Sequence, residues 1–324
     1  MTNKKIRWGI LSTANIGTGR VIPAMQGSRN GVVQAIASRT AERAQQAADA
    51  LGIPRAHGSY EALLADPDID AIYNPLPNSM HAEWSIRCAE AGLPVLCEKP
   101  LAVDAAEAEA MVVAFAKHDL LLAEGFMYRF HPQTQKVLEL LRGGAIGDLV
   151  MLNASFNFPI DLSDLGNIRL SRELEGGALM DIGCYCISAA RLMTGEEPLQ
   201  AHGVSRSGAV SEVNEVLGAV LDFPSGAVAV IDCSLRNQRV QSYDLRGTRG
   251  RIRVETAYVT QPDEATLIET WGIDGDYSRI TIPPANSYTL MAEDFADALL
   301  QERPPKYPPG DGVANMRVID MLRG

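Results

Sequence analysis

The chain has 324 residues, more than the ~250–300 at which a single hydrophobic core usually stops growing, so we expect two domains. A net charge of −11 argues against nucleic acid or an anionic membrane as a partner, because both bind basic surfaces. No segment approaches the roughly 18 apolar residues of a membrane-spanning helix. The polar start does not resemble a secretory signal, and the five cysteines lack metal-ligand spacing, so we expect a cytoplasmic protein without a metal site.

The first part of the chain alternates between short apolar strands and helices of roughly 10–15 residues, the pattern of βαβ units on a parallel sheet. The predicted strands cover residues 6–12, 32–38, 69–74, 95–97 and 120–124. The predicted helices cover residues 16–26, 40–51, 81–91 and 105–117, the last with Asp104 as its N-cap. We therefore predict a doubly wound α/β Rossmann domain over residues 1–124.

After about residue 125 the pattern changes to a few helices and many strands. The predicted helices cover residues 132–141, 177–193 and 288–301, and the strands cover residues 219–223, 227–234, 241–246, 251–254, 266–270 and 279–282. These elements predict a second α/β domain over residues 125–324 with a large, open, mostly antiparallel sheet. Its last helix is a candidate to return to the first domain.

The strand that starts at Ala227 predicts self-association. Every residue from 227 to 231 is apolar, so both faces of this strand require cover, and too few helices follow to provide it. We expect a homodimer or a higher homo-oligomer through this sheet.

The turn after the first strand, residues 9–17, is a glycine-poor form of the dinucleotide-binding turn. The G-x-G-x-x-G fingerprint would place glycines at positions 12, 14 and 17, and only Gly17 is present. Ser12 and Ala14 are still small enough for a pyrophosphate to approach the amides that open the next helix. The candidate ligands are Ser12, Thr13, Ala14, Asn15 and Ile16. An ordinary βα turn is the alternative.

The end of the second strand bears on the choice of cofactor. An NAD enzyme usually carries Asp or Glu here, whereas an Arg accommodates the 2′-phosphate of NADP. This chain has Ser38 and Arg39 and no carboxylate. The pattern favours NADP, with NAD still possible; the alternative is an exposed charge at a strand end.

Two further loops follow the third and fourth strands, at the sheet edge where doubly wound folds bind ligands. Residues 74–81 are rich in proline, and Glu98-Lys99-Pro100 places a lysine directly after a buried strand, where an ammonium is costly unless it is paired. The alternatives are an ordinary loop with a helix-capping histidine and a surface lysine. The candidate cofactor ligands are Asn74, Leu76, Asn78, His81, Glu98 and Lys99.

Asp181 and Tyr185 are four residues apart, so a helix would place them on one face. Gly176 and Gly177 precede them and would allow a ligand or the other domain to approach closely. A carboxylate and a phenol one turn apart suit proton transfer to a substrate hydroxyl. The alternative is a buried tyrosine bonded to a capping aspartate.

Four of these segments, residues 9–17, 74–81, 98–100 and 176–185, resemble in order and spacing those of the Gfo/Idh/MocA oxidoreductases, and the resemblance covers nearly the whole chain. It implies a Rossmann domain followed by an α/β domain whose open sheet often forms the subunit interface, and a cis peptide bond before Pro100. Tyr185 stands where inositol-dehydrogenase-like members have His. With Tyr at this position, the chain is similar to the branch that contains the NADP-dependent D-xylose 1-dehydrogenases, dimeric dihydrodiol dehydrogenase and glucose–fructose oxidoreductase.

The resemblance implies hydride transfer between nicotinamide and a carbinol carbon of a sugar, such as the aldose D-xylose, or of a related polyol. Tyr185 is the expected general acid/base, Lys99 would favour its phenolate, and Asp181 would bind a substrate hydroxyl or orient Lys99. Arg169 is a candidate cofactor ligand. The candidate substrate ligands are Tyr128, Arg129, Phe158, Asp161, Asp181 and Tyr185. A dihydrodiol dehydrogenase, a keto-sugar reductase and a non-catalytic NADP-binding regulator are the alternatives.

Overall fold

The computed structural model describes residues 4–324 and divides into two compact units. The first unit runs to Phe126 and includes Tyr288–Val313; the second comprises Met127–Ser287 and Ala314–Gly324. The expectation about a secretory signal concerns the polar start of the chain, and its first three residues, 1–3, lie outside the described residues. None of the helices within residues 4–324 has the length and apolar character needed to span a membrane.

The first unit is built on a parallel sheet. Its strands are β1 (Ile6–Ile10), β2 (Gly31–Ala37), β3 (Arg55–His57), β4 (Ala71–Asn74), β5 (Val95–Cys97) and β6 (Leu122–Glu124). Its helices are α1 (Ile22–Gln26), α2 (Ala41–Leu51), α3 (Tyr60–Leu64), α4 (His81–Glu90) and α5 (Ala105–Lys117). The strand order β3-β2-β1-β4-β5-β6 is that of a Rossmann domain, whose ligands bind beyond the carboxyl ends of the strands.

Local signals account for most of these boundaries. Thr40 caps α2 by accepting a hydrogen bond from the amide of Arg43, and Gly52 ends the helix in the left-handed conformation. Asp104 caps α5 as predicted and accepts from the amide of Glu107 over 2.8 Å. The helix predicted over residues 16–26 instead begins with a π-helical turn, Gly17–Val21, before α1.

The sequence pattern does not predict β3 or α3. The three residues of β3 are all half-buried, so they show no alternation of apolar and polar positions. The strand forms because it pairs with β2 at the edge of the sheet, where Ala56 lies opposite Ile36.

The second unit contains an open sheet of eight strands. They are β7 (Leu149–Asn157), β8 (Gln200–Ser207), β9 (Asn214–Asp222), β10 (Val228–Ser234), β11 (Val240–Gly247), β12 (Gly250–Val254), β13 (Thr266–Gly272) and β14 (Tyr277–Ile282). The order is β14-β13-β12-β11-β7-β10-β9-β8, and the β7–β10 pair is parallel while the other neighbours are antiparallel. The predicted fold class, a Rossmann domain plus an α/β domain with a mostly antiparallel sheet, is confirmed. The edge strand β8 is not predicted, because nearly all of its residues are exposed.

The described residues also form four longer helices: α6 (Pro132–Arg142), α7 (Cys184–Thr194), α8 (Ser287–Leu300) and α9 (Pro309–Arg323). Within the first unit, α8 is tied to the segment before β2, since Glu293 accepts from the amide of Arg29 and Asp297 accepts from Asn30. Helix α9 is not predicted, because Gly310 and Gly312 weaken the helical pattern of its first turn.

Candidate active site

The turn after β1 retains the geometry of a dinucleotide-binding turn despite its missing glycines. Ser12 has a φ of 154°, a conformation that favours glycine, at the position of the first fingerprint glycine. Its hydroxyl accepts from the amide of Ala14 and donates to the carbonyl of Pro75. Thr13, Ala14 and Ile16 are half-buried and Asn15 is exposed, so this turn is accessible. These residues fit the pyrophosphate of a dinucleotide.

The end of β2 carries two guanidinium groups. Arg39 is exposed directly after the buried Ser38, and Arg43 lies one turn further on in α2. Burial raises the pKa of the Tyr60 phenol, and the charges of Arg39 and Arg43 oppose that rise, so both lie near this ring. Within residues 4–324, neither arginine forms an ion pair with a carboxylate. This arrangement fits a 2′-phosphate, and sequence reasoning missed Arg43, whose i+4 spacing from Arg39 is the available signal.

The loop after β4 is held by Asn74, which is fully buried. Its Oδ1 accepts from the amide of Leu76, and its Nδ2 donates to Ser85 Oγ over 3.0 Å. The ring of His81 is also fully buried and lies between two main-chain carbonyls, those of Leu76 and Pro100. The half-buried Asn78 is closer to solvent.

The segment after β5 contains Glu98, Lys99 and Pro100, and the Lys99–Pro100 peptide bond is cis, as the resemblance implies. Lys99 is half-buried. The carboxylate of Glu98 accepts from the hydroxyl of Tyr73 over 2.7 Å. Burial and this carboxylate hold the pKa of the Tyr73 phenol well above its usual range, and they act in the same direction on Tyr288. Sequence reasoning missed both tyrosines, since neither lies in a motif.

In the second unit, Asp181 and Tyr185 lie on a helix that opens with a π-helical turn, Leu179–Gly183, and continues as α7. Such turns are frequent at functional sites. Arg169 donates from Nε to Oδ2 of Asp181 over 2.6 Å. The charge of Asp181 raises the pKa of Arg169, burial opposes this, and Tyr185 adds to the rise. The structure thus brings together a carboxylate, a guanidinium and a phenol.

Gly176 and Gly177 explain how Arg169 reaches this helix. The amide of Gly177 donates to the carbonyl of Arg169, and a Cβ on Gly176 would lie only 2.5 Å from that same oxygen. The two glycines therefore admit the 3₁₀ turn Ile168–Leu170, which is part of the same unit.

Tyr185 lies in an aromatic pocket and is only 5% exposed. Its ring centroid is 5.3 Å from that of Phe156 in an edge-to-face arrangement and 5.6 Å from that of Tyr258. Its hydroxyl donates to Sδ of Met127 over 3.4 Å. Water is scarce in such a pocket, so nearby charges act strongly on the phenol. Sequence reasoning missed Phe156 and Tyr258.

Two of the candidate substrate ligands face the protein interior. Tyr128 and Arg129 are buried, and both contact the hydroxyl of Ser188 on α7: the Tyr128 hydroxyl at 2.6 Å and the Arg129 Nε at 3.0 Å. They hold α7 in place.

Two more of the six candidate substrate ligands are closer to solvent. Phe158 is half-buried, with the guanidinium carbon of Arg169 5.7 Å from its ring centroid. Asp161 is exposed and accepts from the hydroxyl of Ser163 over 2.6 Å. Tyr128 contacts the ring of Tyr185, with centroids 5.9 Å apart, and Phe158 lies beside Arg169.

Comparison with known proteins supports a common origin over the full length. The chain is 40% identical to a D-xylose 1-dehydrogenase (NADP(+)) of Haloferax volcanii over 316 residues, which cover 97% of this chain and 95% of that protein. It is 34% identical to a trans-1,2-dihydrobenzene-1,2-diol dehydrogenase of Xenopus laevis, covering 76% of this chain and 74% of the relative.

A solved structure resembles the whole chain. The 3-ketoreductase KijD10 from Actinomadura kijaniata, in complex with NADP and TDP-benzene, has a TM-score of 0.91 and 32% identity, covering 99% of this chain and 97% of that one. Residues 6–126 match an oxidoreductase family with an NAD-binding Rossmann fold, and residues 134–253 match the GFO/IDH/MocA C-terminal domain. Together with the turn after β1 and the Tyr185 helix, these matches show that the chain belongs to the Gfo/Idh/MocA family of NAD(P)-dependent oxidoreductases.

Proposed function

We propose that this protein is an NADP-dependent sugar dehydrogenase whose substrates are aldoses such as D-xylose or related polyols. The cluster of Tyr185, Arg169 and Asp181 in an aromatic pocket carries the proposal, because it supplies a proton acceptor next to a cation. The similarity to a D-xylose 1-dehydrogenase supports the substrate class.

In the proposed reaction the carbinol loses a proton from oxygen and a hydride from carbon, and a carbonyl forms. NADP⁺, when bound, accepts the hydride at nicotinamide C4. Tyr185 accepts the proton, and the Arg169 guanidinium stabilises the phenolate that does so. Asp181 holds Arg169 in place. Lys99 is proposed as a second cation acting on Tyr185, and Glu98 orients the segment that carries it.

The cofactor is proposed to lie on the first unit. The turn at Ser12–Ile16 would hold the pyrophosphate, and Arg39 with Arg43 would bind the 2′-phosphate. Asn78 and the loop that includes Leu76 would lie against the nicotinamide half of the cofactor.

The decisive experiment is a dehydrogenase screen of aldoses, inositols and dihydrodiols, with keto sugars in the reverse direction, using both NADP⁺ and NAD⁺. We expect turnover of at least one aldose with NADP⁺. A protein that binds NADP⁺ tightly and oxidises or reduces none of these compounds would be a non-catalytic regulator, and the proposal would be wrong.

We further propose a homodimer, assembled through the face of the eight-stranded sheet that includes Val220 and Val230. These residues are paired on adjacent strands and are 45% and 40% exposed, whereas Ala229 and Ile231 on the opposite face are buried. Monomers rarely expose extended apolar surface.

The five cysteines are free and buried, which supports a reducing compartment such as the cytoplasm.

A further inference from the structure

His81 is the first residue of α4 and has no exposed surface. Its Nδ1 lies 2.8 Å from the carbonyl oxygen of Pro100, and its Nε2 lies 2.8 Å from that of Leu76. A ring enclosed in this way does not reach a bound cofactor, so any contribution to catalysis acts through the two segments that it joins.

We infer that His81 is a positioning residue whose ring fixes the main chain next to Lys99 against the loop after β4. The inference rests on the proposed role of Lys99 in proton transfer. It replaces direct cofactor binding by His81 with an indirect role in two parts, one for each ring nitrogen.

Nδ1 of His81 acts on the segment that carries Lys99. Several contacts hold the main chain around Lys99. The Glu98 amide donates to the Asn74 carbonyl over 3.0 Å, the Leu101 amide donates to Glu124 over 2.8 Å, and Nδ1 of His81 meets the Pro100 carbonyl. The contact to Pro100 is adjacent to Lys99 on its C-terminal side. Loss of this contact would leave the Pro100–Leu101 peptide held only through its amide, and we expect the position of Lys99 to become less fixed.

Nε2 of His81 acts on the loop after β4. Leu76 is buried, and its amide donates to Oδ1 of Asn74 while its carbonyl meets Nε2 of His81. Both polar groups of its main chain are therefore occupied by side chains of the same unit. Because β4 and β5 are neighbours in the sheet, the ring of His81 bridges the loops that follow adjacent strands.

The two contacts depend on where the ring carries its proton. A neutral imidazole has one N–H and donates to one carbonyl at a time, whereas a doubly protonated ring donates to both. Burial lowers the pKa of His81 to about 4, the two carbonyls oppose this, and the nearby ammonium of Lys99 lowers it further. A neutral ring therefore donates to only one of the two carbonyls at a time, and we infer that its two tautomers share the donor between Pro100 and Leu76.

This sharing allows the two contacts to be separated by substitution. The amide nitrogen of Asn lies near the position of Nδ1, so His81→Asn retains a donor for Pro100 and loses the one for Leu76. The amide nitrogen of Gln lies near the position of Nε2, so His81→Gln does the reverse. His81→Leu removes both donors and is the reference for complete loss.

The experiment compares kcat, KM for NADP⁺ and the pH dependence of kcat in the wild type and these three variants. We expect His81→Asn to raise KM for NADP⁺ by about tenfold with little change in kcat. We expect His81→Gln to lower kcat by about tenfold, to shift its pH dependence and to leave KM nearly unchanged. Equal effects of the Asn and Gln variants on both constants, or a loss of thermal stability alone, would overturn the inference.

Two controls keep this result interpretable. If the wild type turns over no substrate, the proposed function fails; NADPH binding measured by fluorescence then still tests the contact to Leu76, because the Asn variant should bind more weakly than the Gln variant. If a variant does not fold, NMR of wild-type protein labelled with ¹⁵N-histidine provides the test. Protonation shared between both nitrogens of His81 supports the inference, and an Nδ1 that never carries a proton at neutral pH contradicts it.

Discussion

The carboxylate of Asp181 and the guanidinium of Arg169 form an ion pair with an N–O distance of 2.6 Å, beside the phenol of Tyr185. Tyr185 is nearly buried, whereas the Arg169 side chain is 39% exposed. In the proposed mechanism this cation, which is already held in place by Asp181, lowers the cost of forming the Tyr185 phenolate.

Replacing Tyr185 with Phe should lower kcat by about 10²–10⁴-fold, because general acid–base help is typically worth that much. NADP(H) binding should remain close to wild type, because the groups proposed to hold the pyrophosphate and the 2′-phosphate belong to the first unit and are unchanged. Steady-state kinetics and NADPH titration measure the two effects. Tyr243→Phe, at another buried tyrosine of the same unit, is the matched control. Near-native kcat in Tyr185→Phe would remove Tyr185 from the mechanism.

Lys99→Ala should have a similar effect on kcat, because we propose Lys99 as the second cation acting on Tyr185. The double variant with Tyr185→Phe tests whether the two residues act as one unit. If they do, the double variant loses no more activity than the single Tyr185→Phe variant. Fully additive losses would indicate that Lys99 acts elsewhere.

Replacing Arg169 with Gln should shift the rising part of the pH profile of kcat for sugar oxidation to higher pH. The general base must be deprotonated to accept the substrate proton, and removal of a neighbouring cation makes deprotonation less favourable. The pH dependence of kcat in the forward direction measures the shift, and Arg172→Gln, at an exposed arginine close by in the chain, is the control. An unchanged pH profile would mean that Arg169 has a purely structural role.

NADP⁺ should be preferred over NAD⁺, with Arg39 as the main reason. A charge-assisted hydrogen bond to a phosphate contributes about 1.5–3 kcal/mol, or roughly 10–150-fold in affinity. Arg39→Ala should raise KM for NADP⁺ by about that factor and leave KM for NAD⁺ nearly unchanged, and Arg43→Ala should act in the same direction. Comparison of kcat/KM for both cofactors is the measurement. Equal efficiency with the two cofactors in the wild type would contradict the assignment.

Replacing Gly176 with Ala should displace Arg169 and destabilise the fold by about 1–3 kcal/mol, since overpacking at a close contact has this cost. The added Cβ would meet the carbonyls of Arg169 and Ile168 at 2.5 and 2.6 Å. The thermal unfolding temperature and kcat should both fall. Gly310→Ala is the control, because nothing lies within 4 Å of its Cβ position. A Gly176→Ala protein with native kcat would show that the turn Ile168–Leu170 accommodates the added Cβ without loss of the Arg169 position.

The sequence by itself determined the elements whose signals are local. An apolar run is enough to define β5, and the capping side chain of Asp104 together with helical periodicity defines α5 at the predicted boundaries. The same holds for the fold class, since strands that alternate with helices require a parallel sheet. The sequence motifs also identified Lys99, Asp181 and Tyr185 as candidates without any knowledge of their neighbours.

Tertiary structure alone decided what those residues contact. His81 and Pro100 are 19 positions apart, and Arg169 and Asp181 are 12 apart, so no periodicity within one element relates them. Their contacts exist because adjacent strands place His81 and Pro100 together and because Gly176 admits the Arg169 turn. The strand β3 likewise has no hydrophobic pattern of its own and forms by pairing with β2. Local interactions within a few residues are encoded in the sequence pattern, whereas partners brought together by packing depend on the complete fold.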